Sequence, residues 1–406
     1  MRVLQVHNRY RSSSPGGEDR VVDQEGAALA VRGHVVERFE RRNDDIEHWS
    51  LARRAIVPSQ VVWSNSARRS LRTTIERFRP DVVHVHNTFP LLSASVLYAC
   101  RDAKVPVVVT LHNYRLACAT GDLFRDGQVC HACVGRLPIP AVRHGCYRSP
   151  VATVPVAVAT TVHARAWRTM PSAFVFISAS QRDILAPLEL PPGRVFVKAN
   201  LVPSSIAAPR AEVGSQTGAS PPYVAYAGRL APAKGIKLLM RAWDAYTAAG
   251  DRGLRLVIAG SGPLDGEVAA WAAGKPSVDV RGMLSRDDCA ALVAGARAAI
   301  VPSEWEEAFG LVAIEAMALQ VAPVAPAHGS FPELVRDGHD GVLFAPGDPD
   351  ALAAVLRDVE TDPGRFYELG RNARLSYEER FDPDANVAQL VATYEFAIAN
   401  PSGRAG

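Results

Sequence analysis

The chain has 406 residues, 48% hydrophobic and 21% charged, with a formal net charge of +3. Such a length exceeds what one hydrophobic core usually serves and predicts two domains, while the composition excludes a low-complexity or fibrous chain. No apolar run approaches the roughly 20 residues of a transmembrane helix. Because Met1 leads straight into a predicted strand, we expect no signal peptide and a cytoplasmic protein.

The charge is unevenly distributed along the chain. Residues 1–200 hold 27 Lys and Arg against 16 Asp and Glu (net +11), and residues 201–406 hold 18 against 26 (net −8). A basic half usually meets an anionic partner, although it can also simply complement an acidic neighbour domain. Few aromatic residues interleave its arginines, which argues against nucleic acid. The densest segment contains Arg41, Arg42, Arg53, Arg54, Arg68, Arg69, Arg72, Arg77 and Arg79.

The first 40 residues predict a βαβ unit. Residues 2–7 and 33–39 have the pattern of strands, and residues 18–31 have the pattern of a helix between them, the order found in parallel sheets. The intervening loop ends in Gly16 and Gly17, which let a backbone approach a phosphate or substrate closely. A simple turn is the alternative, and the dinucleotide-binding glycine pattern is absent.

A histidine closes a later predicted strand. Residues 81–86 and 105–112 both have strand patterns, and His112 ends the second. Open α/β sheets bind ligands at the carboxyl ends of their strands, so His112 is a candidate site residue. A structural histidine is the alternative.

Four cysteines fall in a glycine-rich insert at residues 116–147. Their clustering in a cytoplasmic chain favours a tetrahedral zinc site over disulfides. With four ligands the metal would be structural rather than catalytic. Unmetallated thiols are the alternative. The candidate ligands are Cys118, Cys130, Cys133 and Cys146.

A second α/β unit follows a predicted linker at residues 204–222, which is rich in Ser, Ala, Pro and Gly. The strand that begins at Tyr223 leads through Gly228 and Arg229 to Lys234, after which a helix is predicted. A guanidinium and an ammonium on a loop that opens a helix suit a diphosphate. A charged surface loop is the alternative.

An acidic loop precedes the next well-defined helix. Glu307 lies on the loop, Gly310 opens the helix and Glu315 lies on it. Free N–H groups at a helix start favour phosphate, and carboxylates accept hydrogen bonds from sugar hydroxyls. The pattern therefore predicts a diphosphate with sugar rings on both sides. A solvated acidic loop that caps an ordinary helix is the alternative. The segments 348–350 and 382–384 have the pattern Asp-Pro-Asp before helices, which capping explains, so no catalytic metal is expected.

The spacing of Glu307 and Glu315, with Phe309-Gly310-Leu311 between them, resembles the signature of retaining GT-B glycosyltransferases. This family 4-like group includes sucrose synthase and bacterial mannosyl- and glucosyltransferases. The resemblance extends to about Tyr394 and implies an α/β fold in which two Rossmann-like parallel-sheet domains face each other across a cleft. The expected parts are an acceptor-binding domain at 1–203, the linker at 204–222, a nucleotide-sugar domain at 223–383, and a helix at 384–400 that crosses back to the first domain.

The resemblance also implies roles for individual residues. His112 would contact the transferred sugar, although Asn113 stands where the family often has Asp. Glu307 would hold the sugar hydroxyls and Glu315 the ribose. The implied catalytic residues are His112, Glu307, Arg229 and Lys234. The implied donor-binding residues are Gly16, Gly17, Gly228, Arg229, Lys234, Met283, Glu307, Phe309, Gly310, Leu311 and Glu315.

These features predict a retaining glycosyltransferase that moves a sugar from a nucleoside diphosphate-sugar to an acceptor in bacterial glycan, glycolipid or natural-product biosynthesis. The basic half favours an anionic or lipid-linked acceptor and a peripheral contact with the inner face of the membrane. A nucleotide-sugar epimerase on the same fold and a non-catalytic sugar-nucleotide-binding subunit are the alternatives.

Overall fold

The structure, a computed structural model, describes residues 1–12, 16–203, 221–248, 250 and 253–402. The chain divides into two compact units. Unit 1 comprises Met1–Arg125, Cys130–Leu201 and Asp384–Gly406, and unit 2 comprises Asp126–Val129 and Val202–Pro383. Apart from residues 221 and 222, the predicted linker lies outside the described residues.

Unit 1 is built on a parallel sheet. Within the described residues the strand order is β2-β1-β3-β4-β7-β8, and every neighbouring pair is parallel. The central strands are short, rich in valine and buried throughout, as expected for strands covered on both faces. The strands of the first half are β1 Arg2–Arg9, β2 Val35–Arg42, β3 Val82–Val85, β4 Val107–Leu111, β5 Phe124–Arg125, β6 Gln128–Val129, β7 Ala173–Phe176 and β8 Val195–Val197, of which β5 and β6 form a separate ribbon.

The helices of unit 1 follow the apolar periodicity of its sequence. In α4, Leu71, Ile75 and Phe78 recur on one buried face, and the Ser64 side chain caps the helix start. The helical segment between residues 150 and 169 is divided at His163, whose Nε2 donates to the Val62 carbonyl at 2.9 Å. The helices are α1 Gly17–Val31, α2 Leu51–Ala55, α3 Val57–Val62, α4 Asn65–Phe78, α5 Ser95–Asp102, α6 Ile139–Arg143, α7 Pro150–Val162, α8 Ala164–Thr169 and α9 Ala179–Ile184.

Unit 2 repeats this architecture. Its described strands are all parallel in the order β11-β10-β9-β12-β13-β14. Asp348 caps the helix that follows it, as the sequence predicts. The strands are β9 Tyr223–Ala227, β10 Arg255–Ala259, β11 Val278–Gly282, β12 Ala298–Ile300, β13 Ala322–Pro326 and β14 Val342–Phe344. The helices are α10 Ile236–Thr247, α11 Asp265–Ala272, α12 Arg286–Ala294, α13 Leu311–Ala318, α14 Phe331–Leu334, α15 Pro349–Thr361 and α16 Pro363–Arg380.

The last helix, α17 (Pro383–Ala399), is part of the unit 1 core. Leu390 and Tyr394 are fully buried there against β-strand residues such as Val3. A buried ion pair fastens the same helix: Lys198 Nζ donates to Glu25 Oε1 at 2.8 Å and to Asn386 Oδ1 of α17 at 2.9 Å. The predicted return of the terminal helix to the first domain is therefore confirmed, as are the two parallel α/β sheets. None of the helices in the described ranges is long and apolar enough to cross a membrane.

Candidate active site

Two loops of unit 2 meet at the carboxyl ends of the adjacent strands β9 and β12. The first loop runs from Gly228 to Gly235 and enters α10; the second begins after β12 and enters α13. Gly235 has φ +70°, and a Cβ there would lie 1.6 Å from the Pro302 carbonyl oxygen. Glycine is therefore required for the two backbones to approach this closely. The approach is reinforced where Glu304 N donates to the Ala233 carbonyl at 3.0 Å.

This contact brings Lys234 and Glu307 together. Lys234 Nζ lies 2.8 Å from Glu307 Oε2 and 3.1 Å from Oε1. The same Oε2 accepts from Trp305 Nε1 at 2.8 Å and from Ser303 Oγ at 3.1 Å. Glu307 is buried, and the ammonium also lies 4.6 Å from the centre of the Trp305 ring. The carboxylate is thus held in one orientation, while the lone pairs of Oε1 retain capacity for another donor.

A third segment, after β13, fixes the backbone of the acidic loop. Ser330 N donates to the Glu307 carbonyl at 3.1 Å, and His328 Nε2 donates to the Ser303 carbonyl at 2.9 Å. Gly329 has φ +59°, and a Cβ there would come within 2.9 Å of Glu307 N. Sequence reasoning missed these supporting residues. The signal available was a His-Gly-Ser run directly after a buried strand.

The starts of α10 and α13 border this pair. Their N-cap residues are Gly235 and Gly310, both in the left-handed conformation, and within the described residues neither helix start receives a side-chain cap. Such a terminus presents backbone N–H groups and the positive end of the helix dipole, which together favour phosphate. Glu315 lies on α13, partly buried, four residues after its first residue, Leu311.

The remaining donor-site candidates of unit 2 differ in accessibility. The Arg229 side chain is exposed, and its carbonyl accepts from Tyr226 Oη at 2.8 Å. Met283 follows β11 and is 58% exposed. Phe309 is buried, with its ring centre 6.4 Å from that of Phe381. The Phe309 ring therefore belongs to the packing of unit 2, and its assignment to the donor site stays a prediction.

In unit 1, His112 ends β4 as expected and has a neighbour that sequence reasoning missed. His112 Nε2 lies 2.9 Å from His86 Nδ1, and the two rings stack with centres 5.2 Å apart. Burial lowers the pKa of His112 to about 3 and the pKa of His86 well below its ordinary value. Both imidazoles are consequently neutral at physiological pH. The polar partner of His112 is thus His86 rather than Asn113, whose side chain instead donates to Glu18 Oε2 at 3.2 Å.

Gly16, the residue before α1, packs closely against another side chain. A Cβ on Gly16 would lie 2.6 Å from the Tyr10 ring, and that tyrosine donates to Glu18 Oε2 at 3.1 Å. Asp19, also in the first turn, lies 2.6 Å from His7 Nε2. Burial raises the pKa of Glu18. Since two carboxyl groups already occupy this helix start, it suits a hydroxyl-bearing substrate better than a phosphate, the two kinds of ligand expected at Gly16 and Gly17.

A cavity of about 460 Å³ opens within unit 1 beside these residues. That volume is in the range of small-molecule sites. Glu18 Oε1, His86 Nε2 and His112 Nδ1 are buried and have no hydrogen-bond partner within the described residues. The three residues that bear these atoms line the cavity, and the lining as a whole divides into a polar group and an apolar group of residues. The polar group includes Glu18, His86, His112, Asn113 and Arg115, and the apolar group includes Phe89, Val156, Ala159, Trp167 and Leu188.

The four predicted zinc ligands come together around one small cavity. Cys118, Cys130, Cys133 and Cys146 line a space of about 20 Å³, and no disulfide joins them. Their sulfur atoms are not gathered as in a closed site, because the one triad of potential ligand atoms within 4.8 Å in the described ranges is Glu25, His84 and His86.

That histidine–glutamate triad is a core network instead of a metal centre. The Lys198 ammonium pairs with Glu25, and both ring nitrogens of His84 are engaged, by Tyr394 Oη at 2.8 Å and Thr110 Oγ1 at 2.7 Å.

Residues 15–205 match the family model described as Glycosyltransferase Family 4, and residues 211–376 match that described as Glycosyl transferases group 1. The MMP alpha-(1->4)-mannosyltransferase of Mycolicibacterium hassiacum is 34% identical over 239 residues, which cover 58% of this chain and 56% of that protein. The glycogen synthase of Mycobacterium tuberculosis H37Rv is 29% identical over 418 residues, covering 94% and 91%.

Two solved structures share the fold. The sucrose-phosphate synthase of Thermosynechococcus elongatus has a TM-score of 0.71 at 19% identity and covers 98% of this chain and 99% of its own. The Anabaena protein HepE, solved in complex with UDP-glucose, has a TM-score of 0.68 at 19% identity and covers 97% and 99%. At this identity the similarity shows the architecture alone.

Proposed function

Because the chain belongs to the glycosyltransferases that join a family 4 domain to a group 1 domain, we propose that it transfers a sugar from a nucleoside diphosphate-sugar to an acceptor with retention of anomeric configuration. The observation that carries this proposal is the Lys234–Glu307 pair beside the uncapped starts of α10 and α13. An ammonium and free helix N–H groups bind a diphosphate, while an oriented carboxylate accepts from sugar hydroxyls. The UDP-glucose complex of the structural neighbour HepE supports the same class of donor.

In this mechanism the bond between the anomeric carbon and the diphosphate oxygen breaks as the acceptor oxygen bonds to the same carbon. Lys234 and Arg229 stabilise the charge that develops on the departing diphosphate, and its oxygen takes the proton from the acceptor hydroxyl. Glu307 orients the sugar and Glu315 the ribose. His112, held neutral, would contact the transferred sugar. Met283 would contact the nucleobase of the donor.

The two alternatives differ from transfer in what is released. An epimerase returns an altered nucleotide-sugar, and a binding subunit releases nothing, whereas a transferase releases nucleoside diphosphate when an acceptor is present. The family models and the relatives named above give no support to an epimerase. Lys234 and Glu307 are both present and in contact, which argues against a degenerate, non-catalytic site.

The experiment that tests this proposal is a melting-temperature screen against UDP-, GDP-, ADP- and dTDP-sugars, followed by measurement of nucleoside diphosphate release. A donor present at 100 times its Kd adds about 2.7 kcal/mol to the free energy of unfolding. We expect one nucleotide class to stabilise the protein and to be consumed with acceptor. Stabilisation by none of the four would contradict the proposal.

We also propose that Cys118, Cys130, Cys133 and Cys146 bind one structural zinc ion. Four thiolates around one cavity would satisfy the tetrahedral preference of zinc at about 2.3 Å per bond once metal binding had drawn the sulfur atoms inward.

Purified protein should carry about one zinc per chain. The variant Cys130→Ser should lose the metal and melt at lower temperature, because binding energy at such sites is folding energy. The matched variant Cys289→Ser, outside the cluster, should keep the zinc. Protein without zinc, whose melting temperature does not respond to a chelator, would exclude the site.

A further inference from the structure

One face of α7 is apolar and exposed along its whole length. Val151, Val154, Val158 and Val162 are all exposed, the first by 83% and the last by 64%. Their spacing of three, four and four residues places them on a single face. The opposite side is buried, as at Val156, and the thirteen residues of α7 include no charged side chain. A surface helix normally presents polar residues to water. The folding stability of the chain therefore does not explain why α7 exposes apolar side chains.

Neighbouring elements extend the same surface. The helices α3 and α6 both pack on α7, and α2 directly precedes α3. Within the described residues, fifteen large hydrophobic side chains are exposed, and eight of them belong to this small region. Single exposed hydrophobic residues are ordinary, but such a concentration marks an interaction site. The eight residues, here called the apolar face, are Leu51, Ile56, Leu137, Ile139, Val151, Val154, Val158 and Val162.

The charges on the elements of the apolar face are predominantly positive. No Asp or Glu occurs between residues 127 and 182 or between residues 48 and 75. Exposed arginines, in contrast, lie on these elements or directly beside them: Arg53 and Arg54 on α2, Arg143 at the end of α6, Arg148 before α7, and Arg165 and Arg168 on α8. Of these, Arg168 also pairs with Glu189 at 3.4 Å.

Other arginines of the basic half are neutralised by acidic neighbours. Arg72 pairs with Glu76 at 2.8 Å, and Arg68 and Arg77 pair with Asp102 and Glu37. Part of the surplus positive charge therefore accompanies the apolar face, including Arg53 and Arg54 of the arginine-dense segment at residues 41–79.

We propose that the apolar face docks on an anionic lipid bilayer. Valine and leucine side chains would enter the headgroup boundary while the arginines contact the phosphates, the arrangement of interfacial helices. A second copy of the chain fits less well, because a symmetric contact would set one arginine-rich face against another.

The proposal rests on unit 1 alone and not on the proposed transfer. If both hold, the unit 1 cavity, which Val156 and Ala159 of α7 line, lies beside the membrane that supplies the acceptor.

The test is co-sedimentation of the full chain with vesicles of phosphatidylglycerol and phosphatidylcholine at a 1:1 ratio, compared with vesicles of phosphatidylcholine alone. We expect binding to the anionic vesicles that is at least tenfold stronger and that weakens as salt rises. The double variant Val151→Asp, Val158→Asp should reduce binding at least tenfold. The matched control, Val31→Asp with Leu375→Asp, adds the same charge at exposed positions outside the apolar face and should bind as the wild type does. Melting curves establish that each variant is folded.

Three results would overturn the proposal: no binding to either vesicle, an equal loss in the control variant, or a concentration-dependent dimer that the Val151→Asp, Val158→Asp variant abolishes. Because no donor or acceptor is present, failure of the proposed transfer reaction leaves this measurement unaffected.

Discussion

At the scale of single residues, the contact between Lys234 and Glu307 makes the sharpest prediction. Lys234→Ala should lower turnover by about 10² to 10³, because a preorganised charge beside the diphosphate is lost. Lys237→Ala is the matched control, since Lys237 lies in the first turn of α10 but pairs with Glu267 at the surface. Its turnover should stay within a few fold of wild type. Steady-state rates of nucleoside diphosphate release measure both, and equal rates in the two variants would remove Lys234 from the site.

The neutral histidines predict a dependence of stability on pH. The pKa of His112 falls from an unfolded value of about 6.5 to about 3 in the folded chain, so the unfolded state binds more protons between these values. The associated stability is fully present above pH 6.5 and is lost as pH falls, by about 1.4 kcal/mol per pH unit. Urea unfolding at pH 7 and pH 5 should therefore show a smaller loss for His112→Gln than for wild type. Parallel losses would contradict the neutral assignment.

The residue types of the site could be predicted from sequence, but their partners could not. Arg229, Lys234 and Glu307 lie in loops that open helices, and Glu315 lies on the helix that follows; chain order reveals both positions. The contact of Lys234 with Glu307 spans 73 positions and depends on where Gly235 meets Pro302. That His86 faces His112 depends likewise on the register of β3 against β4.

At the scale of elements, a comparison of two glycines distinguishes a close approach of two loops from an ordinary turn. Gly235 and Gly274 both have positive φ, but a Cβ on Gly235 would meet the Pro302 carbonyl whereas Gly274 has nothing within 4 Å. Gly274→Ala should cost about 1–2 kcal/mol for the left-handed conformation and keep donor binding. Gly235→Ala should in addition displace the acidic loop and weaken donor binding at least tenfold, as measured by calorimetry. Equal affinities in the two variants would show that the approach of the loops does not organise the site.

The attachment of α17 to unit 1 gives a stability prediction. Lys198→Met leaves Glu25 buried without its counter-charge and should cost about 3–5 kcal/mol. Lys237→Met breaks an exposed pair of the same type and should cost at most about 1 kcal/mol. Urea unfolding measures both. A small effect at Lys198 would mean that hydrophobic contacts of Leu390 and Tyr394 hold the helix without the ion pair.

Some boundaries of helices and strands could be predicted from the sequence, and others depend on contacts between distant segments. Strands rich in valine and the helix starts near glycine were predictable, because burial on both faces and left-handed caps leave a clear pattern. The division of the helix near residues 149–170 was not, since His163 reaches the Val62 carbonyl on another helix. The burial of Phe309 likewise depends on Phe381, which belongs to a distant segment.

At the scale of the whole molecule, the sequence indicates a division of charge that the structure refines. Unit 1 carries the basic surplus. Several of its arginines pair with acidic neighbours, and part of the remaining positive charge borders the apolar face. Unit 2 carries the loops that we propose bind the diphosphate. Composition alone predicts the sign and the size of the net charge of each half. Where the exposed charge lies on the surface could be found only from the exposed fraction of each side chain.

The central claim is that the loops around Lys234 and Glu307 form the nucleotide-sugar site. Calorimetric titration of UDP, GDP, ADP and dTDP into wild type, Lys234→Ala and Lys237→Ala tests it most directly. We expect one of these nucleotides to bind wild type and Lys237→Ala with equal affinity at one site per chain, and to bind Lys234→Ala at least tenfold more weakly. Unchanged affinity in Lys234→Ala, or binding of none of the four to the wild type, would contradict the claim.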